Sequence, residues 1–265
     1  MYKNAYSRAF FGLFGIFFKE IRVAFSQFYT FRHPFSSLLR TIGVIFSSLL
    51  RLFLGRSLRY SFAFTGEDRI IESILKPTFQ YQGYYVEVGA NHPKFLSNSY
   101  GLYRRGWRGV CIDANEALIT KYAYYRPKDL AICALVSDKA INRTFYKVQN
   151  NVLSTTSPEG KDAVLKEGLE VQSIEMKSKT LNQILAECST PNTFDLLSVD
   201  AEEHDLEVLQ GLDFNQFQPK LVVVEDENFD WEMPEKSPIY CLMKQHDYQL
   251  EGFVLKNLYF VKIGD

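Results

Sequence analysis

The stretch YYVEVGANH, residues 84–92, decides the fold of this chain. A short apolar run reaches Glu87, the chain turns at Gly89, and Asn91 follows the turn. In an open parallel sheet, ligands bind beyond the carboxyl ends of the strands, and a glycine there lets the backbone approach a ligand because no Cβ intervenes. The stretch therefore predicts a strand that ends at a binding crevice.

A second apolar run, GVCID at residues 109–113, ends on Asp113. A carboxylate at the end of the neighbouring strand can accept hydrogen bonds from both hydroxyls of a ribose. A nucleoside-binding crevice has this layout: a strand that ends near an acid, a glycine turn, a helix, and a second strand that ends on another acid. The predicted cofactor-binding residues are Glu87, Gly89, Asn91 and Asp113.

The number of glycines in the turn indicates which nucleoside the crevice binds. A dinucleotide site uses G-x-G-x-x-G with the pyrophosphate on a helix N-terminus, whereas Gly89 is followed by Ala90, Asn91, His92 and Pro93. The sequence also lacks the G-x-x-x-x-G-K-[ST] motif of nucleoside triphosphate sites. S-adenosylmethionine, the commonest nucleoside cofactor without phosphates, fits better. The spacing of the two acids alone also suits NAD, so an NAD-dependent enzyme remains an alternative that the single glycine disfavours.

Candidate catalytic residues lie in SVDAEEHD, residues 198–205, just past another apolar run. Methyl transfer from a sulfonium is an in-line displacement, so an enzyme must align donor and acceptor and remove a proton from the acceptor hydroxyl. His204 is the candidate base because imidazole titrates near neutral pH, Asp200 is a candidate to orient it, and Glu202 is a third catalytic candidate. Alternatively, Asp200 and Glu202 are acids that satisfy free backbone donors at a helix N-terminus.

Asp200 is also a candidate metal ligand. Glu225 and Asp226 end the next apolar run, KLVVVED at residues 220–226. Carboxylates at neighbouring strand ends can converge, and Mg²⁺ prefers such oxygen ligands. The sequence therefore raises Mg²⁺ as a second cofactor, held by Asp200, Glu225 and Asp226.

Three longer segments resemble a known family. EVGANHPKFLSNSYGLYRRGWRGVCIDAN (87–115), FDLLSVDAEEHDLEVLQGLDF (194–214) and PKLVVVED (219–226) are similar to the FkbM-type methyltransferases, and the resemblance extends over roughly residues 60–263. It implies a class I, Rossmann-like methyltransferase fold that uses S-adenosylmethionine. It also implies oxygen methylation, often of sugars in surface polysaccharides or of secondary metabolites.

The resemblance departs from the family pattern at one position of the catalytic segment. The family usually reads D-x-E-G-H/A-D/E, and Glu203 stands where that glycine is expected. Two interpretations follow: an active O-methyltransferase that methylates a hydroxyl of a sugar, and a catalytically impaired module that still binds S-adenosylmethionine. An assay of methyl transfer combined with a measurement of S-adenosylmethionine binding distinguishes the two interpretations.

The order of apolar runs and amphipathic segments predicts an α/β domain over residues 61–265, with helices that include 97–105, 116–125 and 236–246. Alternating strands and helices indicate a mostly parallel sheet with helices on both faces. Residues 248–253 and 257–262 are expected to close it as an antiparallel edge hairpin. The polar stretch 150–162 is interpreted either as a lid or substrate loop or as a tolerated insertion.

Charge is distributed unevenly along the 265 residues. The net charge is −1, which argues against a nucleic-acid-binding protein. Residues 1–66, however, carry nine Lys/Arg and one acidic residue, while the rest is acidic. The four cysteines lack metal-binding spacing and are interpreted as reduced residues of a cytoplasmic protein.

Residues 1–60 are predicted to be a basic, aromatic helical extension. Its apolar runs, AFFGLFGIFF (9–18) and the Arg-interrupted LLRTIGVIFSSLLRLFL (38–54), are too short or too charged for a transmembrane span. We expect this extension to lie at the inner face of the cytoplasmic membrane, with arginines against anionic headgroups. The alternative is that its helices pack on the catalytic domain or form a dimer interface.

Overall fold

The computed structural model describes residues 61–78, 80–148 and 168–264, with isolated helical positions between 42 and 50 and between 161 and 166. The chain divides into two compact units, Met1–Ser61 and Phe62–Asp265. The predicted N-terminal helices and nearly all of the 150–162 loop lie outside the described residues. No helix within the described part of the chain is long and apolar enough to cross a membrane.

The second unit is built on one large sheet and a small two-stranded ribbon. The strands of the large sheet, in spatial order, are β3-β2-β1-β6-β7-β9-β8, and β4 pairs with β5 in the ribbon. In chain order the strands are β1 Tyr84–Val88, β2 Arg108–Asp113, β3 Leu130–Cys133, β4 Asn142–Val148, β5 Val171–Lys177, β6 Thr193–Val199, β7 Gln218–Glu225, β8 Tyr248–Val254 and β9 Asn257–Lys262.

Helices follow most of the strands and cover both faces of the sheet. They are α1 Glu67–Leu75, α2 Tyr100–Arg104, α3 Glu116–Tyr125, α4 Leu181–Glu187, α5 Asp205–Gln210 and α6 Pro238–Gln245, with a 3₁₀ turn at Pro234–Lys236. Strands β3, β2, β1, β6 and β7 are parallel, while β9 is antiparallel to both β7 and β8. The predicted mostly parallel α/β fold with an antiparallel edge hairpin is therefore confirmed.

The strand register places three ends at one edge of the sheet. Val88 of β1 pairs with Ile112 of β2 and with Val199 of β6. Gly89, Asp113 and Asp200 follow these three residues in the chain, so their backbones lie side by side. This is the edge at which a parallel sheet binds ligands.

Alternate residues of the central strands face two separate hydrophobic clusters. Val86 and Leu197 belong to the cluster that also contains residues of α4, α5 and α6. Tyr85 and Leu196 belong to the cluster that contains residues of α1, α2 and α3. All four are fully buried, and each such side chain stabilises the fold by about 1.5–3 kcal/mol relative to an exposed one. The rigid sheet formed in this way fixes the positions of the strand ends.

Two predicted helices begin later than expected, for local reasons. The helix predicted at 97–105 begins at Tyr100, because the backbone N–H groups of Asn98 and Ser99 donate to the Glu87 carboxylate. The helix predicted at 236–246 begins at Pro238, where the Ser237 hydroxyl accepts from the Tyr240 N–H as an N-cap. By contrast, α3 has the predicted bounds.

Candidate functional site

An open cleft of about 720 Å³, including its solvent-filled mouth, lies at the carboxyl ends of β1, β2, β3 and β6. Polar groups come from the turns after β1, β2 and β6, and an apolar wall comes from α3, the segment after β3 and the ribbon. The lining residues are Val88, Gly89, Asn91, Ile112, Asp113, Ala114, Asn115, Leu118, Ala134, Leu135, Val136, Phe145, Asp200, Ala201, Glu202 and His204.

Asp113 ties together two segments that line the cleft. One carboxylate oxygen accepts the N–H of Asn91 at 2.8 Å, and the other accepts the N–H of Asn115 at 2.7 Å. Burial raises the pKa of Asp113, although both backbone N–H bonds oppose the rise. Asn115 in turn caps α3 by accepting the Ala117 N–H. Each carboxylate oxygen can accept further hydrogen bonds, so Asp113 can bind hydroxyl groups within the cleft.

Asn91 presents an unsatisfied acceptor at the cleft. Its backbone is left-handed, with φ of 48°, a conformation that asparagine tolerates better than most residues. Its side-chain Oδ1 is buried and has no hydrogen-bond partner within the described part of the chain. Leaving a buried polar atom unpaired costs about 1–3 kcal/mol, so this atom is suited to a ligand that donates a hydrogen bond.

Gly89 allows the turns after β1 and β6 to touch. Its φ is 72°, and a Cβ at this position would lie 1.7 Å from the Asp200 carbonyl oxygen. The adjoining Asp200 N–H donates to the Val88 carbonyl at 3.1 Å. The glycine is thus needed for contact between two parts of the protein, and it also borders the cleft.

Glu87 does not line the cleft, contrary to what its place in the sequence predicted. Its side chain is buried and accepts hydrogen bonds from Ser97, Asn98 and Ser99. Arg126 lies 3.5 Å from the same carboxylate. The physical reason is that a buried carboxylate needs charge-assisted partners, and residues that do not line the cleft supply them.

The turn between β6 and α5 has an unusual backbone. Glu202 and Glu203 are consecutive non-glycine residues at positive φ, 49° and 75°. The Asp205 carboxylate accepts the Ala201 N–H at 2.9 Å and closes the turn. Glu203 therefore adopts the conformation that the glycine of the family pattern favours, and its side chain is exposed.

His204 borders the cleft at the turn after β6. Both ring nitrogens are buried and make no hydrogen bond to the described residues. The carboxylate of Glu207 lies beside the ring, with its Oε1 3.5 Å from Nδ1. An imidazole with an unpaired nitrogen beside a cleft can act as a base for a hydroxyl that binds within hydrogen-bond reach.

Asp200 is engaged with Glu225 of the neighbouring strand. Desolvation by the surrounding protein and the nearby charges of Glu225, Asp205 and Glu202 raise the pKa of Asp200 well above its usual range, although the residue keeps an exposed surface that screens these effects. Two carboxyl groups in contact favour retention of a proton by one of them, because like charges repel. Glu202, which also borders the cleft, is an exposed residue whose pKa is raised by partial desolvation and by the charge of Glu225.

The predicted Mg²⁺ site is not supported by the geometry. No group of three or more His, Cys, Asp or Glu within the described ranges is arranged to hold a metal ion. Glu225 forms an ion pair with Lys256, and Asp226 accepts the Ser237 hydroxyl at 2.6 Å. Asp200 and Glu225 do contact each other, but Glu225 is also paired with Lys256, and Asp226 is bonded to Ser237 instead of joining them.

The apolar wall was not foreseen from the sequence. Leu118 comes from α3, Leu135 follows β3, and Phe145 comes from the separate β4–β5 ribbon. Apolar side chains beside polar groups suit a purine base next to a ribose. Only the apolar character of these positions could have signalled them, and that character is common to every strand and helix of the domain.

One comparison with known proteins identifies a relationship. Residues 87–250, more than half of the chain, match the family model described as the Methyltransferase FkbM domain. No curated protein and no solved structure matches the chain. The matched residues contain the strand ends and turns that form the cleft. The chain belongs to the FkbM family of methyltransferases.

Proposed function

We propose that this protein is an S-adenosylmethionine-dependent O-methyltransferase that methylates a hydroxyl of a sugar, in a surface polysaccharide or a related glycoconjugate. The observation that carries the proposal is one continuous cleft with Asp113 and Asn91 on the β2 side of β1 and His204 on the β6 side. A cofactor and an acceptor held on the two sides would meet above the end of β1.

The chemistry of the cleft fits the adenosyl group. The Asp113 carboxylate can accept hydrogen bonds from the ribose hydroxyls, and the unpaired Oδ1 of Asn91 can accept one from a donor of the ligand. Leu118 and Leu135 offer apolar contact for the adenine. When bound, S-adenosylmethionine supplies an electrophilic methyl group on a sulfonium. The proposed cofactor residues of this chain are Asp113, Asn91 and Gly89, with Glu87 acting from outside the cleft.

His204 is the proposed base. Its free ring nitrogen would take the proton of the acceptor hydroxyl as the oxygen attacks, which removes positive charge from the oxygen in the transition state. Asp200 and Glu202 line the cleft and are proposed to border the acceptor and to hydrogen-bond its hydroxyl groups. The alignment of acceptor and donor by these groups can supply roughly 7–11 kcal/mol of the barrier.

A neighbouring recess supports a sugar as acceptor. It shares Glu202 with the cleft and is lined by other carboxylates and by Asn228. Carboxylate and amide oxygens accept hydrogen bonds from hydroxyl groups, which a sugar offers in number. This match of chemistry supports a sugar as the acceptor, and product analysis identifies the methylated hydroxyl.

The test is transfer of a labelled methyl group from S-adenosylmethionine to a panel of nucleotide-linked and lipid-linked sugars. Asp113→Asn is expected to raise the Kd for the cofactor, while His204→Ala mainly lowers kcat. Asp247→Asn and His246→Ala are matched controls, because neither residue lines the cleft. Cofactor binding without product on any acceptor would contradict the catalytic proposal. Binding of NAD in place of S-adenosylmethionine would contradict the cofactor.

We also propose that this protein is cytoplasmic and that residues 1–60 bring it to an anionic membrane surface. The support is their composition, in which nine Lys/Arg accompany two phenylalanine- and leucine-rich runs. Each basic residue near such a surface contributes about 1 kcal/mol to binding. Co-sedimentation with anionic liposomes, compared between the full chain and a chain that lacks residues 1–60, tests it. Full-length protein that stays in the supernatant would refute it.

A further inference from the structure

The segment between β1 and α2, residues 89–99, carries two cleft residues without regular secondary structure. Two of its non-glycine residues, Asn91 and Leu96, have positive φ values of 48° and 59°. Such backbone conformations persist only when surrounding contacts determine them. What fixes this loop therefore also determines where Gly89 and Asn91 stand at the cleft.

The Glu87 carboxylate fixes the far end of the loop. It accepts the backbone N–H of Asn98 at 2.8 Å and that of Ser99 at 3.3 Å. It also accepts the hydroxyls of Ser97 and Ser99. Because Glu87 lies on β1, these bonds join the end of the loop to the strand from which the loop starts.

Arg126 completes this anchor from the end of α3. Its side chain is fully buried and donates to the Ser99 hydroxyl at 2.7 Å and to the Ser97 hydroxyl at 3.2 Å. The guanidinium also donates from Nε to Asp129 at 2.7 Å. A planar guanidinium with several donors in fixed directions can hold such a set in one geometry. Its plane also lies 5.2–5.3 Å from the ring centroids of Tyr85, Tyr103 and Tyr122.

Two further bonds hold the loop against the cleft walls. The Tyr122 hydroxyl donates to the Ala90 carbonyl at 2.8 Å, next to Asn91. The Asn98 amide donates to the Ser198 hydroxyl of β6 at 3.0 Å. Tyr122 itself packs on the Arg126 guanidinium, so both ends of the loop depend on one buried network.

We propose that Glu87 and Arg126 are positioning residues for the cofactor: they hold the 89–99 loop in its binding conformation before the ligand arrives and do not touch the ligand. The identity of the ligand rests on the proposed function, whereas the positioning rests on the bonds described above. A preorganised loop binds more tightly because its ordering does not have to accompany ligand binding.

The test compares Glu87→Gln with Asp195→Asn. Asp195 is a matched control, because it is a buried carboxylate in the same sheet but lies at the opposite end of β6. There it accepts the Tyr84 N–H at 2.9 Å and pairs with Lys220 at 2.9 Å, and it does not line the cleft. Both variants lose a buried charge, but only Glu87→Gln releases the loop.

Two measurements are made on the full-length protein. Calorimetry gives the Kd for S-adenosylmethionine, and hydrogen exchange of the amides of residues 90–99 is followed without ligand. Glu87→Gln is expected to raise the Kd by about tenfold or more and to speed exchange in the loop, as loss of supporting contacts does at other binding sites. Asp195→Asn is expected to leave both unchanged.

Equal loop exchange in wild type and Glu87→Gln would overturn the proposal, as would equal weakening of cofactor binding by Asp195→Asn. If Glu87→Gln does not fold, Ser99→Ala replaces it, because it removes the hydroxyl shared by Glu87 and Arg126. Its expected effect on Kd is about fivefold, that of one hydrogen bond. Wild-type protein without affinity for S-adenosylmethionine would refute the proposed function, while loop exchange would still decide the positioning role.

Discussion

Replacement of Gly89 by alanine tests whether contact between the β1 and β6 turns builds the cleft. The added Cβ would lie 1.7 Å from the Asp200 carbonyl oxygen. Normal contact distances require the two turns to separate by roughly 2 Å. Such overpacking costs about 1–3 kcal/mol, and alanine at a φ of 72° adds about 1–2 kcal/mol of backbone strain.

An effect on the unfolded chain offsets part of the stability loss in Gly89→Ala. An unfolded chain with alanine has fewer conformations than one with glycine. The substitution therefore stabilises the folded state by about 0.4–1 kcal/mol relative to the unfolded chain. Gly89→Ala is therefore expected to lower the free energy of unfolding by about 1–4.6 kcal/mol. Gly106→Ala is the matched control, because Gly106 has a φ of 99° and nothing within 4 Å of its added Cβ. The control keeps the strain without the clash and should cost only about 1 kcal/mol.

The assay is urea unfolding at 25 °C, with S-adenosylmethionine calorimetry on the same samples. The account predicts a larger stability loss for Gly89→Ala than for Gly106→Ala, with cofactor affinity reduced only in the first. Equal losses, within about 0.5 kcal/mol, would show that the contact between the turns contributes nothing. Unchanged cofactor affinity in Gly89→Ala would separate the turn from the binding site.

Three further predictions concern the turn after β6. Glu203→Gly should raise the free energy of unfolding by about 0.5–1 kcal/mol, because glycine relieves the left-handed strain at this position. Glu203→Ala should change the free energy of unfolding little. Both values are measured by urea unfolding, and equal values for the two variants would show that the strain is absent. Burial raises the pKa of Asp205 to about 7, so between pH 4 and 7 the folded protein keeps a proton that the unfolded chain loses. Stability should fall as pH rises through this window, by up to about 4 kcal/mol from this group, and Asp205→Asn should flatten the fall; an unchanged pH profile would contradict the raised pKa. His204→Ala should lower kcat by about 10²–10⁴-fold with little change in cofactor Kd, measured by methyl transfer and calorimetry; a large change in Kd with normal kcat would assign His204 to cofactor binding.

Much of the fold could be predicted because local signals and tertiary packing agree along this chain. The run before Gly89 is buried on both sides, so its apolar residues indicate a parallel strand directly. Asn115 caps α3 with its own side chain, and the helix accordingly has the bounds that the sequence indicated. Because these elements could be predicted, so could the strand ends that border the cleft, which include Asp113 and Asp200.

The direction of individual side chains could not be predicted in the same way. Glu87 stands at the strand end where a ligand contact was expected, yet Arg126, 39 positions later, and the 97–99 segment hold its carboxylate. Phe145 reaches the cleft from a separate ribbon whose placement no sequence period encodes. Partners distant in sequence determine these orientations, and a single sequence does not reveal them.

The most direct test of the central claim is calorimetric titration of the purified protein with S-adenosylmethionine and, separately, with NAD, in wild type and Asp113→Asn. Thermal melts of both proteins verify folding, because Asp113 also accepts two backbone N–H groups. The account predicts that wild type binds S-adenosylmethionine and not NAD, and that Asp113→Asn remains folded but binds the cofactor at least about tenfold more weakly. Equal S-adenosylmethionine affinity in the two proteins, or binding of NAD alone, would contradict it.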